Sequence, residues 1–156
     1  MYFFRRLPAW SGNVGKRLVK SPKVYIRDSG IVHALLGLES LDDVLGHPIA
    51  GPSWEGAVLE SAHAAAGGFP VFYYRTSAGA EIDIVIEGRH GRRYAVEIKR
   101  SSAPSVSRGF RNGLEDLEIR ESIVIYPGQE DIPLGSGTVA MGVHDALAWI
   151  RERVAG

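Results

Sequence analysis

The spacing of apolar residues predicts a chain in which helices alternate with strands. A helix is predicted from 54 to about 66, since Ser53 can cap it, Trp54, Val58, Ala62 and Ala65 share one stripe, and two glycines end it. Strand-like runs follow at 70–75, 81–87 and 94–100, then a helix to about 117, strands at 122–126 and 138–143, and a helix at 145–154. This order predicts an α/β fold with a mixed sheet flanked by helices.

The pattern before residue 54 is different. Two short strands, 2–7 and 23–27, are joined by a loop rich in glycine and proline and predict a β-hairpin. A helix over 29–36 follows, with Asp28 or Ser29 as its cap, and then a helical turn and a Gly/Pro loop. We therefore expect a basic hairpin over 1–27, a helical connector over 28–53 and the main domain over 54–156. A two-stranded ribbon is marginal alone, so the chain is expected to be the C-terminal part of a longer protein.

Composition excludes several classes of protein. A chain of 156 residues with 45% apolar content can bury a core without disulfides, and the absence of cysteine agrees with a reducing compartment. No apolar run approaches the roughly 20 residues that cross a bilayer. The sequence predicts a cytoplasmic protein without a membrane partner.

The net charge of zero hides an asymmetry between the two ends. Residues 1–28 contain seven basic side chains and one acidic one, so the N-terminal segment is strongly basic. Such a segment is typical of contact with the phosphates of DNA, although a solvated arm explains it equally well. The candidate nucleic-acid-binding residues are Arg5, Arg6, Lys16, Arg17, Lys20, Lys23 and Arg75.

Asp83 and the segment Glu97-Ile98-Lys99 are the candidates for chemistry. Side chains alternate along a strand, so Glu97 and Lys99 share a face, and a hairpin would bring Asp83 to them. Two adjacent carboxylates repel each other unless a cation or a raised pKa relieves the repulsion, and oxygen ligands suit Mg²⁺ or Mn²⁺. The alternative is that these residues decorate a solvated sheet face.

These residues resemble the signature of the PD-(D/E)xK nuclease superfamily, an acid at a strand bend followed by acid-x-Lys on the next strand. The resemblance implies a restriction-endonuclease-like fold. It also implies a site in which Asp83, Glu97 and the carbonyl of Ile98 bind Mg²⁺ or Mn²⁺ while Lys99 assists the attacking water. Gly79-Ala80-Glu81-Ile82 stands before Asp83 in place of the usual Pro-Asp.

An acidic residue on the preceding helix belongs to the same signature. Glu55 and Glu60 are the two choices. At about 100° per residue, Glu55 lies at the edge of the apolar stripe and Glu60 lies on the far side, so Glu55 is predicted to join the site. A first-turn glutamate that complements the helix dipole is the competing interpretation.

A wider resemblance covers most of the chain. Leu7-Pro8-Ala9-Trp10, the run from Gly15 to Tyr25, Arg27-Asp28-Ser29-Gly30 and Trp54-Glu55-Gly56 resemble the C-terminal half of a prokaryotic AAA+ ATPase family. The resemblance implies an upstream ATPase domain as partner and identifies residues 1–27 as the wing of a winged helix. No ATPase motif is present, because Gly12 to Arg17 has two residues where a P-loop needs four and ends in arginine.

Two functions follow as expectations. The first is a nuclease-like domain of an ATPase that hydrolyses phosphodiesters with Mg²⁺. The second is a catalytically silent module that binds DNA or a protein for the attached ATPase, since a fold does not establish a reaction. A scaffold for contacts within an ATPase ring is a third interpretation.

Overall fold

The computed structural model describes residues 3–156, so the predicted start of the first strand at Tyr2 lies outside the described residues. Strands β1 (Phe4–Leu7) and β2 (Lys23–Ile26) form the expected antiparallel hairpin. Helix α1 (Ser29–Leu35) begins at an Asp28 cap whose carboxylate accepts the backbone N–H of Gly30, and helix α2 (Leu41–Gly46) begins at a Ser40 capping box. The hairpin and the first helix therefore form as the sequence predicts, whereas the predicted Gly/Pro loop at 51–53 does not, because α3 (Ala50–Ala65) already includes it.

Helix α3 (Ala50–Ala65) begins earlier than the sequence predicts. The expected Ser53 cap is wrong: Ser53 lies inside the helix and its N–H donates to the carbonyl of Ile49. Pro52 falls in the first turn, where backbone N–H groups have no helical partner, so a proline can be accommodated there. A Gly-Pro-Ser sequence that is typical of a loop is thus the start of the helix.

Six strands form the main sheet. They are β3 (Val71–Arg75), β4 (Glu81–Glu87), β5 (Arg93–Ile98), β6 (Ser122–Ile125), β7 (Ile132–Gly135) and β8 (Thr138–Met141), in the order β3-β4-β5-β6-β8-β7. The β5-β6 and β6-β8 pairs are parallel and the others antiparallel, which confirms the mixed sheet. The sequence prediction lacks β7, because its Pro133 is unfavourable inside a sheet; β7 is an edge strand, where proline is tolerated.

Helices cover both faces of this sheet. Helices α3 and α5 (Val143–Ala155) bury one face, where Leu59 and Ile150 join Ile84 and Val96 in a common core. Helix α4 (Arg108–Asp116) covers part of the other face with Phe110. Within residues 3–156, no helix combines the length and the apolar content needed to cross a membrane.

A bulge in β4 changes the face on which its residues lie. Tyr74 pairs with Ile82 and Phe72 pairs with Val85, so β4 has one residue more than β3 over this interval. Ile82 consequently packs under α4, whereas Ile84 packs under α3 and α5. Simple alternation wrongly places both on one face. Asp83 lies within the bulge, between the two.

The N-terminal hairpin is fixed to the free edge of β3. The N–H of Trp10 donates to the carbonyl of Tyr73 (2.7 Å), and the N–H of Tyr73 donates to Pro8 (3.0 Å). Farther along, the N–H of Val19 donates to Arg75 (2.9 Å), and Leu7 is completely buried. The hairpin is therefore an integral part of the fold rather than a solvated arm.

Candidate functional site

A polar cleft of about 330 Å³ lies where α3, α4 and the β4-β5 pair meet. Its walls contain Glu55 in the second turn of α3, Asp83 in the β4 bulge, and Glu97, Ile98 and Lys99 at the end of β5. The interpretation of Glu55 as a first-turn glutamate is therefore wrong, because α3 begins at Ala50. The other lining residues are Lys23, Gly79, Glu81, Ser107 and Gly109. The structure thus brings together the five residues that the sequence singles out for catalysis and metal binding.

Asp83 is held by the neighbouring strand. Its Oδ2 accepts the backbone N–H of Ile98 at 2.9 Å. The pKa of Asp83 is raised to about 6, chiefly by burial and also by the negative charges of Glu55 and Glu97, against the opposing effects of the Ile98 N–H and the Lys23 ammonium. Asp83 is therefore a carboxylate whose charge is only partly compensated.

Glu97 and Lys99 form an ion pair at the end of β5. Glu97 is buried, at 5% exposure, and its Oε1 lies 2.7 Å from Nζ of Lys99. Lys99 follows the last strand residue, and its carbonyl accepts the indole N–H of Trp54 at 3.1 Å. The lysine side chain remains about one third exposed, so its ammonium faces both Glu97 and the open cleft.

The two candidate helical acids have different surroundings. Glu55 lies in the cleft, where its Oε1 accepts the hydroxyl of Tyr25 at 2.7 Å. Glu60 lies outside it and pairs with Arg5 and Arg27, at 2.6 and 2.7 Å. The structure thus places in the cleft Glu55, the glutamate that the position of the apolar stripe on the helix favours over Glu60.

Two glycines bring α4 close to the cleft. A Cβ at Gly109 would lie 2.8 Å from the carbonyl oxygen of Gly79, and one at Gly113 would lie 2.7 Å from Cγ1 of Ile82. Only glycine permits this approach without a shift of the neighbouring atoms. The start of α4 therefore closes the cleft beside Glu97.

The predicted nucleic-acid-binding residues divide into two groups. Four form ion pairs within the fold: Arg5 with Glu60, Lys16 with Asp116, and Lys23 and Arg75 with Glu81. The other three, Arg6, Arg17 and Lys20, are exposed. Arg6 and Lys20 flank a second groove of about 590 Å³ beside the hairpin loop. Much of the basic charge thus stabilises the fold internally, and only part of it remains for a ligand.

Sequence reasoning missed several residues of the cleft. Glu81, Ser107 and Tyr25 are not among its candidates, and Lys23 enters only as a cation of the basic arm. The alternation Lys23-Val24-Tyr25 is the signal that predicts a shared face for Lys23 and Tyr25, but their proximity to Glu55 and Asp83 depends on contacts between distant segments. Such contacts have no local signature.

The donor set of the cleft is compatible with a divalent cation. Carboxylates and a backbone carbonyl are the hard oxygen ligands that Mg²⁺ and Mn²⁺ prefer. In residues 3–156, however, no group of three His, Asp or Glu side chains converges closely enough to form a complete metal site. Mg²⁺ usually retains several waters, so two carboxylates such as those of Asp83 and Glu97 are compatible with its coordination when water supplies the other ligands.

Comparison with known proteins gives a family but no activity. Residues 50–145 match the model of a domain of unknown function, DUF4143, and residues 1–42 match a second one, DUF8612. Uncharacterized proteins of Mycobacterium bovis and Mycobacterium tuberculosis are each 44% identical over 143 residues, which is 92% of this chain and 32% of the relative. The chain thus spans about a third of the length of these relatives. No solved structure matches.

The DUF4143 match contains the whole main sheet up to β8 and the five predicted catalytic and metal-binding residues. It covers more than half of the chain, whereas the hairpin and α1 belong to the other match. The chain therefore belongs to the DUF4143 family.

Proposed function

We propose that this chain is a nuclease-like domain of the PD-(D/E)xK type that hydrolyses nucleic-acid phosphodiesters with Mg²⁺ or Mn²⁺. One observation carries the proposal: Glu55, Asp83, Glu97 and Lys99 line a single cleft although they come from three different elements, α3, β4 and the end of β5. Asp83 occupies a strand bulge, and Glu97 and Lys99 follow on the adjacent strand, as the superfamily signature requires.

Each group has a chemical role in this proposal. Asp83, Glu97 and the carbonyl of Ile98 would hold the cation, which would neutralise phosphate charge. The Lys99 ammonium, beside Glu97, would orient the attacking water and stabilise the negative charge that develops on the phosphoryl oxygens. The water oxygen forms a bond to phosphorus and gives up a proton, the P–O ester bond breaks, and the departing oxygen takes up a proton, so that water is divided between the two products. The carboxylate of Glu55 adds to the negative charge of the cleft.

The charge of the cleft supports a cation rather than a bare anion as its first ligand. Four carboxylates, those of Glu55, Glu81, Asp83 and Glu97, face the ammonium groups of Lys23 and Lys99. An uncompensated negative charge attracts divalent cations, and the raised pKa of Asp83 is consistent with that imbalance.

Calorimetry with Mg²⁺ and Mn²⁺ tests the proposal. The parent chain should bind either metal, and an Asp83→Asn, Glu97→Gln double variant should not. Lys99→Ala should keep its fold, measured by circular dichroism, and lose cleavage of DNA. Undiminished cleavage by Lys99→Ala, or no binding by the parent at millimolar metal, contradicts the assignment.

The alternative is a catalytically silent module that binds DNA or a protein for an attached ATPase. The exposed Arg6 and Lys20 at the second groove favour it, as does the Lys99–Glu97 pair, which neutralises the candidate catalytic lysine. Binding through phosphates should weaken steeply with salt, which fluorescence anisotropy with labelled DNA measures. The ATPase partner and the cytoplasmic location stay predictions; the relatives are long enough to include such a domain.

A further inference from the structure

The N-terminal hairpin forms one wall of the candidate site. Lys23 and Tyr25 point inward from β2, because side chains alternate along a strand, and Val24 between them is 62% exposed. Lys23 lines the cleft, and the hydroxyl of Tyr25 reaches Glu55. The segment that matches DUF8612 thus contributes to a cleft whose acidic residues lie in the segment that matches DUF4143.

Tyr25 fixes the position of Glu55. Its hydroxyl donates to Oε1 of Glu55 at 2.7 Å, and its ring packs against the core under α3. Because the ring is held by packing, the hydroxyl has little freedom, and the glutamate is held with it. This contact restrains one oxygen of Glu55.

Lys23 is held in the cleft by two neighbouring side chains. Its Nζ lies 3.3 Å from Oε1 of Glu81 and 5.2 Å from the centre of the Tyr73 ring. The Lys23 side chain is 23% exposed, so the ammonium can reach a ligand in the cleft while these neighbours limit its motion. With Lys99 it provides a second cation for an anionic ligand.

The hairpin is held firmly enough to perform this role. Tyr73 donates its hydroxyl to the carbonyl of Ser21, just before β2. At the other end of β2, Arg27 pairs with Glu60, as does Arg5 on the neighbouring strand. Both ends of the inward-facing segment are therefore anchored to the main domain.

We propose that the hairpin completes the site, with Lys23 as a residue that contacts the phosphate of the nucleic-acid substrate and Tyr25 as a positioning residue for Glu55. This inference rests on the proposed nuclease function. It assigns the substrate contact to a specific wall of the cleft, rather than to the basic arm as a whole.

The experiment compares Tyr25→Phe, Lys23→Met and Lys23→Arg with Val24→Thr, a control from the outward face of the same strand. Tyr25→Phe keeps the ring and should lower kcat about ten-fold with KM unchanged, since misplaced catalytic groups slow the reaction. Lys23→Met should weaken binding of a labelled single-stranded DNA in Ca²⁺. It should also reduce the slope of log affinity against log salt by about one, the value for a lost phosphate contact. Lys23→Arg should restore the slope, and Val24→Thr should match the parent.

The outcomes separate this inference from the proposed function. If the parent cleaves DNA while Tyr25→Phe and Lys23→Met equal it, the hairpin is only a cover and the inference is wrong. Weaker binding by Lys23→Met with an unchanged salt slope also contradicts it, because that result indicates a structural effect. If Lys23→Met lowers the melting temperature, Lys23→Gln is used in the binding experiment instead, because glutamine has a shorter side chain that ends in a polar group. A parent that neither binds metal nor cleaves overturns the proposed function and this inference with it.

Discussion

The backbone N–H of Ile98 donates a 2.9 Å hydrogen bond to Oδ2 of Asp83, across the β4-β5 pair. Ile84 and Val96 are the last residue pair of the β4-β5 register at this end of the strands. Beyond that pair, the N–H of Ile98 finds its acceptor in the side chain of Asp83 instead of in a backbone carbonyl. The bulge therefore turns an acidic side chain into the cleft and at the same time satisfies a backbone donor that the interrupted ladder leaves free.

Asp83→Asn should stabilise the protein near neutral pH. The native pKa of Asp83 is about 6 and its usual value is 3.8, so between these values the native state holds a proton that the unfolded chain has released. Stability contributed by this group therefore declines as pH rises through this interval, by about 2–3 kcal/mol in total. Urea unfolding at several pH values should show a gain for the variant near neutral pH that disappears below about pH 4. The same substitution at the exposed Asp131 should leave the profile unchanged.

Glu97 and Lys99 should show strong energetic coupling. Removing the ammonium leaves a buried carboxylate without its 2.7 Å partner, and such a loss costs about 1–3 kcal/mol. Urea unfolding of Glu97→Gln, Lys99→Met and the double variant forms a double-mutant cycle. The double variant should lose less stability than the sum of the single variants. Simple additivity would show that the pair contributes nothing to the fold.

Gly113→Ala should destabilise the protein by about 1–3 kcal/mol, because the added methyl group would overlap the Ile82 side chain and push α4 away from β4. Gly46→Ala is the matched control, since nothing lies within 4 Å of the position of its Cβ. The control should be neutral or slightly stabilising, because alanine favours helix more than glycine does. Equal thermal shifts for the two variants would contradict the close contact.

Glu60→Gln should weaken the attachment of the hairpin. Hydrogen bonds from Arg5 and Arg27 hold the pKa of Glu60 below its usual value of 4.5, so its contribution is present above that pH and disappears as pH falls through the native pKa. Because the site is partly exposed, the expected loss is about 1 kcal/mol or less near neutral pH. Faster amide hydrogen exchange in β1 and β2, with β4 and β5 unchanged, is the measurement that checks this.

The sequence by itself determined the features that depend on local pattern. The bounds of β4 agree with the prediction, and Glu97 and Lys99 share a side because alternation is a property of the strand alone. Helical spacing likewise selected Glu55 over Glu60 for the cleft. The mixed sheet followed from the order of these elements.

Only the tertiary structure decided the rest. The bulge at Asp83 depends on how β3 pairs with β4, and the edge position of β7 makes Pro133 acceptable in a strand. The approach of Tyr25 to Glu55 joins residues that are 30 positions apart, and nothing in either neighbourhood specifies the contact. Such features depend on partners distant in the chain, whose burial outweighs local preference, and no local pattern can encode them.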